Sequence, residues 1–398
     1  SGEVCEDLWT ARSPAHARAV AGAEIICNGS ASPFTPLKND QRRRLVRGAA
    51  ENLACVYAYS NLLGCDNSRL VFDGGGFIAT PEGVVAEGRT LSKAAWTLTE
   101  GIVDLDDIDR VRAENSTWRQ AVIDKHDNGT MRIIDVSEGV YAPASIADYV
   151  AAMPSSFFDA DSSVPKPASE RYMDELFDGL VLGLRDYFEK VGAFKRFLVA
   201  LSGGRDSALC LLMAVHAAKS FKAGRESESY ADRIRTVYLP NKAFSSSATE
   251  TAARALAEEL GVPFHVVSIS EEVEIALAKA AELAGGIENV TPLARQNLQA
   301  RVRGNMMLNW ANCAQGLLLV TSNLSEAAVG YTTTGGDNQG GYSPIANVPK
   351  TVISRLLDYI AKRDGINSLA GILAIPPTAE LAPHQRDEAD LMPYIILD

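Results

Sequence analysis

Membrane-spanning segments are missing from this chain of 398 residues, although 46% of its residues are hydrophobic. No apolar run approaches the roughly 18 to 20 residues that a transmembrane helix needs. The chain opens Ser1-Gly2-Glu3-Val4, without the basic stretch and apolar core of a secretory signal peptide. We therefore expect a cytoplasmic protein with no membrane partner.

Positive charge is also scarce. The chain holds 38 lysines and arginines against 50 acidic residues, which gives a formal net charge of −12. Nucleic acids and anionic membranes usually bind basic surfaces, so the composition argues against both as partners. The arginines of residues 41–47 fall in a predicted amphipathic helix from Lys38 to Leu62, and we expect them on its solvated face. A small anionic ligand remains possible where local donors hold it.

Cysteine pairs and histidine clusters are absent as well. The six cysteines form no C-x-x-C pair, and the five histidines show no metal-ligand spacing. This pattern fits a reduced protein better than a disulfide scaffold, and it predicts no zinc site. All cysteines but Cys5 lie in apolar patterns, where packing is the expected role. These five are Cys27, Cys55, Cys65, Cys210 and Cys313.

The length suggests two or three domains, and the pattern changes twice along the chain. Residues 1–113 mix short predicted strands with one long helix, and residues 114–170 are rich in turn-forming residues, which is typical of a connector. Residues 171–398 alternate apolar strands with amphipathic helices. This alternation predicts an α/β fold with a parallel sheet covered by helices. Ligands of such sheets bind beyond the carboxyl ends of the strands.

One such strand, Phe197–Leu201, runs directly into the sequence SGGRDS at residues 202–207. Glycines let a backbone approach a ligand closely, and the N–H groups at a helix start favour an anion. Ser202 and Ser207 add hydroxyl donors, but the lysine of the common ATP-binding loop is missing. Asp206 would repel a phosphate unless a divalent cation lay between them, so the turn favours phosphate with Mg²⁺. A tight strand-to-helix connection without a ligand is the alternative.

The SGGRDS turn resembles the pyrophosphate loop of the ATP pyrophosphatases, which adenylate their substrates. Three longer blocks, residues 288–312, 319–356 and 376–394, resemble the NAD synthetase family, and the likeness covers essentially all of 171–398. The resemblance implies an adenine-nucleotide hydrolase-like fold and a ligase that forms a C–N bond. In that family ATP adenylates the carboxylate of nicotinic acid adenine dinucleotide, and ammonia then displaces AMP. A related amidating enzyme such as a GMP synthetase, or a non-catalytic nucleotide-binding fragment, is the alternative.

The resemblance also assigns roles to single residues. Asp206 and Glu326 match the family's Mg²⁺ ligands, and Lys350 matches a lysine on the nucleotide phosphates; all three are expected to be catalytic. The dinucleotide substrate would contact Asn297, Arg301 and Asp337. The residues implied in ATP binding are Ser202, Gly203, Gly204, Asp206, Ser207, Thr321 and Lys350. The run Ser245–Ser247 lies in the segment that covers ATP.

The front of the chain resembles a second enzyme type. The sequence EVCEDLW at Glu3–Trp9 is similar to the nucleophile motif of nitrilase-like glutaminases, and the likeness extends over residues 1–113. It implies a partial αββα nitrilase-like domain in which Cys5 attacks the amide carbon of glutamine and releases ammonia. Glu6, Trp9 and Ser32 would lie near the glutamine.

A cysteine nucleophile needs more than its own thiol, which is mostly protonated at neutral pH. Glu6 and Asp7 would raise the pKa of Cys5 by like-charge repulsion. Nitrilases supply a glutamate base and a lysine from chain that precedes this motif, and Lys38 occupies the wrong part of the pattern. We therefore expect a fragment of a longer glutamine-dependent enzyme that uses ammonia at best. Members of the family pair, so we also expect a homo-oligomer.

Overall fold

The computed structural model describes residues 1–66, 69–124, 166–221, 229–382 and 385–398. Within these ranges no helix is long and apolar enough to cross a membrane. The chain divides into two units, Ser1–Gly179 and Leu180–Asp398. Most of the connector predicted at 114–170 lies outside the described residues, so the boundaries at 113 and 170 stay predictions.

The first unit is built on a five-stranded sheet with the order β1-β2-β3-β6-β7. The first three of these strands are parallel, and β6 and β7 continue the sheet in antiparallel pairing. Strands β4 and β5 form a separate antiparallel ribbon. The strands are β1 Gly2–Val4, β2 Ile25–Ser30, β3 Val56–Asn61, β4 Leu63–Cys65, β5 Val71–Asp73, β6 Gly76–Thr80 and β7 Gly83–Glu87.

Helix α2 covers this sheet and explains the arginine-rich segment. The predicted helix begins at Lys38 as expected but ends at Asn52, ten residues early, because residues 56–61 form β3. Not all of its arginines face solvent: Arg42 is fully buried and pairs with buried Asp73 at 2.6 Å. The helices of this unit are α1 Pro14–Val20, α2 Lys38–Asn52, α3 Leu105–Glu114, α4 Ser116–Asp124 and the first half of α5 Ala168–Val191.

The second unit contains a four-stranded sheet in which every pairing is parallel, as the alternating pattern predicts. Its order is β10-β9-β8-β11. The chain therefore moves one way from β8 to β10 and returns to the other side of β8 with β11. This reversal is a topological switch point, where the loops after β8 and β11 diverge and leave a crevice. The strands are β8 Arg196–Ala200, β9 Ile234–Tyr238, β10 Phe264–Val266 and β11 Gly316–Leu318.

Helices pack on this sheet and extend beyond it. Nearly every residue of α6 is buried, because α6 packs against β8 and β9 and is itself covered by α11 and α12. A helix that is apolar all round is typical of such a central position. The helices are α6 Arg205–Lys219, α7 Ser247–Glu259, α8 Ser270–Ala284, α9 Pro292–Ala314, α10 Leu324–Val329, α11 Lys350–Asp364, α12 Leu369–Ala374, α13 Asp387–Asp390 and α14 Tyr394–Leu397.

Two predicted strands are shorter than their apolar runs. The run 264–269 gives a strand only to Val266, and the run 316–323 gives one only to Leu318. Leu319 still donates its N–H to the carbonyl of Leu198 on β8, but Val320 donates to the carbonyl of Tyr342 instead, and both side chains are buried. In the run 264–269 only Ile269 is buried, and Val266 and Val267 are exposed, so an apolar run does not by itself define a buried strand.

Candidate functional site

The Ser-Gly-Gly turn follows β8 at the switch point of the second unit, and its own hydroxyls shape it. Ser207 Oγ accepts from the N–H of Ser202 at 3.2 Å and donates to the carbonyl of Gly204 at 3.1 Å. Ser202 Oγ accepts from the N–H of Gly204 at 3.2 Å. The two serines therefore close the turn from inside, at the start of α6.

Gly203 is the residue of the turn for which no other residue can substitute. Its φ is +79°, and a Cβ at this position would lie 2.2 Å from the carbonyl oxygen of Thr249 on α7. Gly204 is different, since its φ is −87° and a Cβ there would meet only Ser202 Oγ at 3.2 Å. The close approach of the turn to α7 thus depends on Gly203.

Three of the expected catalytic residues meet beside the turn. Lys350 is the first residue of α11 and only 5% exposed. Its Nζ contacts Asp206 Oδ2 and lies 3.3 Å from Glu326 Oε1. Asn323 Nδ2 donates to Asp206 Oδ1 at 3.1 Å. A buried ammonium thus joins the first turns of α6, α10 and α11.

The electrostatics of this cluster follow from its burial. Burial and the neighbouring Asp206 raise the pKa of Glu326 to about 7, although Lys350 opposes the shift. Burial alone would lower the pKa of Lys350, but the two carboxylates outweigh it and hold that pKa above its ordinary value. Two carboxylates against one ammonium leave an excess of negative charge, which favours a further cation.

The donor chemistry of the cluster suits magnesium. Asp206 and Glu326 offer the hard oxygen atoms that Mg²⁺ prefers, and both contact the same Nζ, so they converge. In the part of the chain that the structure describes, no group of three or more His, Cys, Asp and Glu side chains could hold a metal. Proteins commonly bind Mg²⁺ through one or two carboxylates, with substrate phosphates and water as the other ligands.

The cluster lies on the wall of a cavity of about 270 Å³ at the switch point. All residues implied in ATP binding line it. They are Ser202, Gly203, Gly204, Asp206, Ser207, Thr321 and Lys350. Ser245, from the segment expected to cover ATP, lines it too. A glycine turn at a helix start, an ammonium and two convergent carboxylates together are a chemical surface suited to polyphosphate with a divalent cation.

The three residues implied for the dinucleotide are close together, but only Asp337 lines the cavity. Asn297 Oδ1 accepts from Thr333 Oγ1 at 2.8 Å, and Arg301 Nε donates to the carbonyl of Thr334 at 3.1 Å. Asp337 accepts from the N–H of Thr333 at 2.6 Å. In this structure Asn297 and Arg301 therefore hold the loop that carries Asp337 against α9.

The cysteine of the first unit stands at the end of β1, where the sequence places it. Cys5 begins a 3-10 helix, Cys5–Trp9, with a φ of +48°. This backbone conformation is costly for a residue other than glycine, and such strain is often found at functional sites. Lys38 Nζ lies 5.7 Å from the ring centroid of Trp9, and Ser32 is buried against Arg42.

Lys38 is nearer to Cys5 than the sequence suggests. Burial and the charge of Arg42 lower the pKa of Lys38, while Glu6 and Cys5 are close enough to oppose that shift. The sequence analysis set Lys38 aside on its position in the motif. The fold brings the start of α2 against the 3-10 helix, and no sequence pattern could show that contact.

Comparison with known proteins decides the family. The NAD synthase family model matches residues 176–398, more than half of the chain. The chain belongs to the NAD synthase family. It is 34% identical to a glutamine-dependent NAD(+) synthetase of Aquifex aeolicus over all of this chain and 63% of that protein. A protein of the same name from Thermotoga maritima is 30% identical over 99% of this chain and 62% of its own length.

Solved structures agree with this family. A glutamine-dependent NAD(+) synthetase from Cytophaga hutchinsonii superposes with a TM-score of 0.68 at 25% identity, over 96% of this chain and 57% of that one. An enzyme of that name from Acinetobacter baumannii, in complex with ADP, shows the same fold with a TM-score of 0.69 at 23% identity, over 96% of this chain and 59% of that one. The chain spans about six tenths of the length of the curated relatives that it matches.

Two findings correct or extend the sequence analysis of this family member. Cys27 and Cys313 are exposed, although packing was expected for them, because Cys27 lies on the outward side of β2 and Cys313 on the outer side of α9.

Glu380 is a cavity residue that the sequence did not suggest. It has a φ of +49°, lines the cavity and accepts from Thr249 Oγ1 at 3.1 Å. A strained carboxylate in a cavity wall is a signal that only the structure gives.

Substitution of the two glycines of the turn should separate their roles. We expect Gly203→Ala to lower the free energy of unfolding of the second unit by about 2–5 kcal/mol, because left-handed strain adds to a clash with backbone. Gly204→Ala, the matched control, should change it by less than about 1 kcal/mol. Urea unfolding measures both, and equal losses in the two variants would contradict the geometry.

The raised pKa of Glu326 predicts a pH dependence of stability. The unfolded carboxyl ionises near its ordinary pKa of 4.5, whereas the folded one ionises near 7. The contribution of this carboxyl to the free energy of unfolding is therefore complete below pH 4.5, and it is lost as the pH rises to 7. The measurement compares the free energies of unfolding of wild type and Glu326→Gln. The value for wild type minus the value for the variant should fall by about 1–3 kcal/mol across this pH window. A difference that stays constant with pH would contradict the shift.

Proposed function

We propose that the second unit amidates the carboxylate of nicotinic acid adenine dinucleotide to form NAD, with ATP as the second substrate. The observation that carries this proposal is the convergence of the Ser-Gly-Gly turn, Lys350 and two carboxylates on one cavity. Family membership supports it, and so do the names of the relatives. The family match favours NAD synthesis over the amidation that a GMP synthetase performs.

The reaction takes two steps. A carboxylate oxygen of the dinucleotide attacks the α-phosphorus of ATP, the bond from that phosphorus to the bridging oxygen breaks, and pyrophosphate leaves. Ammonia then attacks the acyl carbon of the adenylate, AMP leaves with the bonding electrons, and the nitrogen loses a proton. Negative charge develops first on the pyrophosphate, so fixed donors near it lower the barrier.

The residues of the turn suit this demand. The N–H groups at the start of α6 and the hydroxyl of Ser202 would bind the β- and γ-phosphates. Ser207, which is buried, would serve the ATP site by holding the shape of the turn. Lys350 would place its ammonium near the charge that develops at the α-phosphate. Thr321 follows β11 on the opposite side of the crevice and would donate to the nucleotide. The ADP bound by the relative from Acinetobacter baumannii is in keeping with a nucleotide in this cavity.

Asp206 and Glu326 would hold Mg²⁺ together with the phosphates. When bound, the ion neutralises the leaving pyrophosphate. Because the pKa of Glu326 is raised to about 7, its ionised form is scarce at lower pH, and a divalent cation beside it would favour ionisation. Before the ion and the nucleotide bind, Lys350 pairs with both carboxylates.

The dinucleotide is assigned to the loop side of the cavity. Asp337 would contact the reacting pyridine end, because it lies on the cavity wall. Asn297 and Arg301 would act with it, either on the substrate or by holding its loop through Thr333 and Thr334.

The first unit would supply ammonia in the longer enzyme. We assign Cys5 as the nucleophile of glutamine hydrolysis, with Glu6, Trp9 and Ser32 around the glutamine. The relatives from Aquifex aeolicus and Thermotoga maritima are named glutamine-dependent synthetases, and the strained backbone of Cys5 supports the assignment. In the described ranges the Cys5 thiol makes no hydrogen bond, and the helix that begins at Lys38 packs against the 3-10 helix that begins at Cys5.

The remaining assignments concern organisation. We propose a partial nitrilase-like domain at 1–113, a connector at 114–170 and the synthetase domain at 171–398, in a cytoplasmic homo-oligomer. Helix α8 supports the oligomer. It has no buried residue, and its apolar side chains Ile275 and Leu283 are 66% and 91% exposed. Exposed apolar residues of this kind commonly mark an interface.

The test is NAD formation by this chain from the dinucleotide, ATP and Mg²⁺, with ammonium or glutamine as the nitrogen source. We expect equal amounts of NAD and AMP with ammonium. Glutamine should give none, because the Cys5 thiol has neighbouring carboxylates and no hydrogen-bonded base among the described residues. Liquid chromatography with mass detection quantifies both products.

Two lysines on α11 provide a matched comparison. Lys350→Met should lower kcat/KM by about a hundredfold or more, because it leaves two buried carboxylates without their cation. Lys362→Met should stay within about twofold, since Lys362 is exposed and pairs only with Asp358 on the surface. Absence of NAD in both nitrogen arms, with ATP still bound, would point to a non-catalytic nucleotide-binding fragment.

A further inference from the structure

The wall of the cavity carries more acid than base. Five acidic residues line it, and three basic residues do. The acidic residues are Asp206, Glu326, Asp337, Glu380 and Asp387. The basic residues are Arg205, Arg303 and Lys350. Both proposed substrates are nucleotide anions, so each basic group that still has free donors is valuable for binding.

Two of the three basic groups are already engaged. Lys350 contacts the two carboxylates described above. Arg205 donates from Nη1 to Ser354 Oγ and from Nη2 to the carbonyl of Leu373, each at 3.0 Å. These contacts hold both side chains in place and occupy part of their hydrogen-bonding capacity.

Arg303 of α9 is different. Its Nε donates to the carbonyl of Leu239 at 3.1 Å, while neither Nη atom makes a hydrogen bond or ion pair with a described residue. Burial lowers the pKa of this guanidinium, and Tyr238, Glu380 and Asp337 oppose the shift. An arginine stays charged at neutral pH all the same. Arg303 is partly buried in the cavity wall, and a guanidinium whose Nη groups have no partner among the described residues can bind an anionic ligand there.

The sheet topology places Arg303 and Lys350 on different sides of the turn. Leu239 directly follows β9, which borders β8 on one side, whereas Glu326 belongs to the segment after β11, which borders β8 on the other. The Ser-Gly-Gly turn follows β8 itself. The cavity therefore presents positive charge on both sides of the turn, with Lys350 on one side and Arg303 on the other.

We propose that Arg303 is a substrate-binding residue, whose two Nη groups bind an oxyanion of a nucleotide substrate at the β9 side of the cavity. A planar guanidinium matches a phosphate or carboxylate with two parallel hydrogen bonds. This inference rests on the proposed function for the presence of two nucleotides. The oxyanion belongs either to ATP or to the dinucleotide, and the experiment distinguishes these sources.

The experiment measures nucleotide binding and does not require turnover. Isothermal titration compares wild type with Arg303→Met for a non-hydrolysable ATP analogue with Mg²⁺ and, separately, for nicotinic acid adenine dinucleotide. We expect at least one Kd to rise by about tenfold or more, the effect of losing a charge-assisted pair. The nucleotide that loses affinity is the one that carries the oxyanion.

Arg295→Met is the matched control on the same helix. Arg295 donates only to the backbone carbonyls of Val290 and Ile287 and does not line the cavity. Its variant should bind both nucleotides within about threefold of wild type. If Arg303→Met binds both as well as this control does, the inference is wrong, while NAD formation by wild type can still establish the proposed function.

A lysine variant separates binding from folding. If Arg303→Met also lowers the melting temperature, Arg303→Lys decides, because lysine keeps the charge and loses the two-pronged geometry. Recovery of about a third or more of the lost binding free energy, with the rest still missing, supports an oxyanion contact. A lysine variant that recovers the melting temperature and none of the affinity also supports it, because the guanidinium geometry is then what binding needs. A lysine variant that recovers neither, or one that recovers the full affinity, contradicts it.

Discussion

A single buried ammonium organises the second unit. Lys350 contacts Asp206 and Glu326, which come from chain segments far apart in sequence. Ser325 strengthens the junction, because its Oγ accepts the N–H of Lys350 at 2.8 Å. Without the lysine the two carboxylates would repel each other in a buried place and would take up protons. The pair would then be a poor ligand for a divalent cation.

The glycine turn brings this cluster and the proposed nucleotide site to the same place. Gly203 lets β8 turn into α6 in contact with Thr249, and the turn lines the cavity at the switch point. Asp206 lies one residue into that helix. In the proposed function, the same short segment would thus provide donors for a phosphate and a carboxylate for a divalent cation. The cation would offset the repulsion between Asp206 and the phosphate.

Sequence analysis could find the features that depend on local pattern. The alternation of strands and helices predicts the parallel sheet, and the motif around Asp206 marks the turn. It could not find Arg303 or Glu380, because an arginine on a helix and a glutamate in a loop look like surface residues until the fold places them in a cavity wall. The packing of the start of α2, which carries Lys38, against the 3-10 helix that begins at Cys5 is likewise a property of the tertiary fold and leaves no trace in spacing.

The central claim is that Asp206 and Glu326 jointly bind a divalent cation when a nucleotide is present. Electron paramagnetic resonance of Mn²⁺, titrated into the protein with a non-hydrolysable ATP analogue, tests it most directly. The account predicts one bound Mn²⁺ in wild type and a Kd raised by about tenfold or more in both Asp206→Asn and Glu326→Gln. Asp358→Asn, on the surface of α11, should bind like wild type. Wild-type affinity in both site variants would contradict the account.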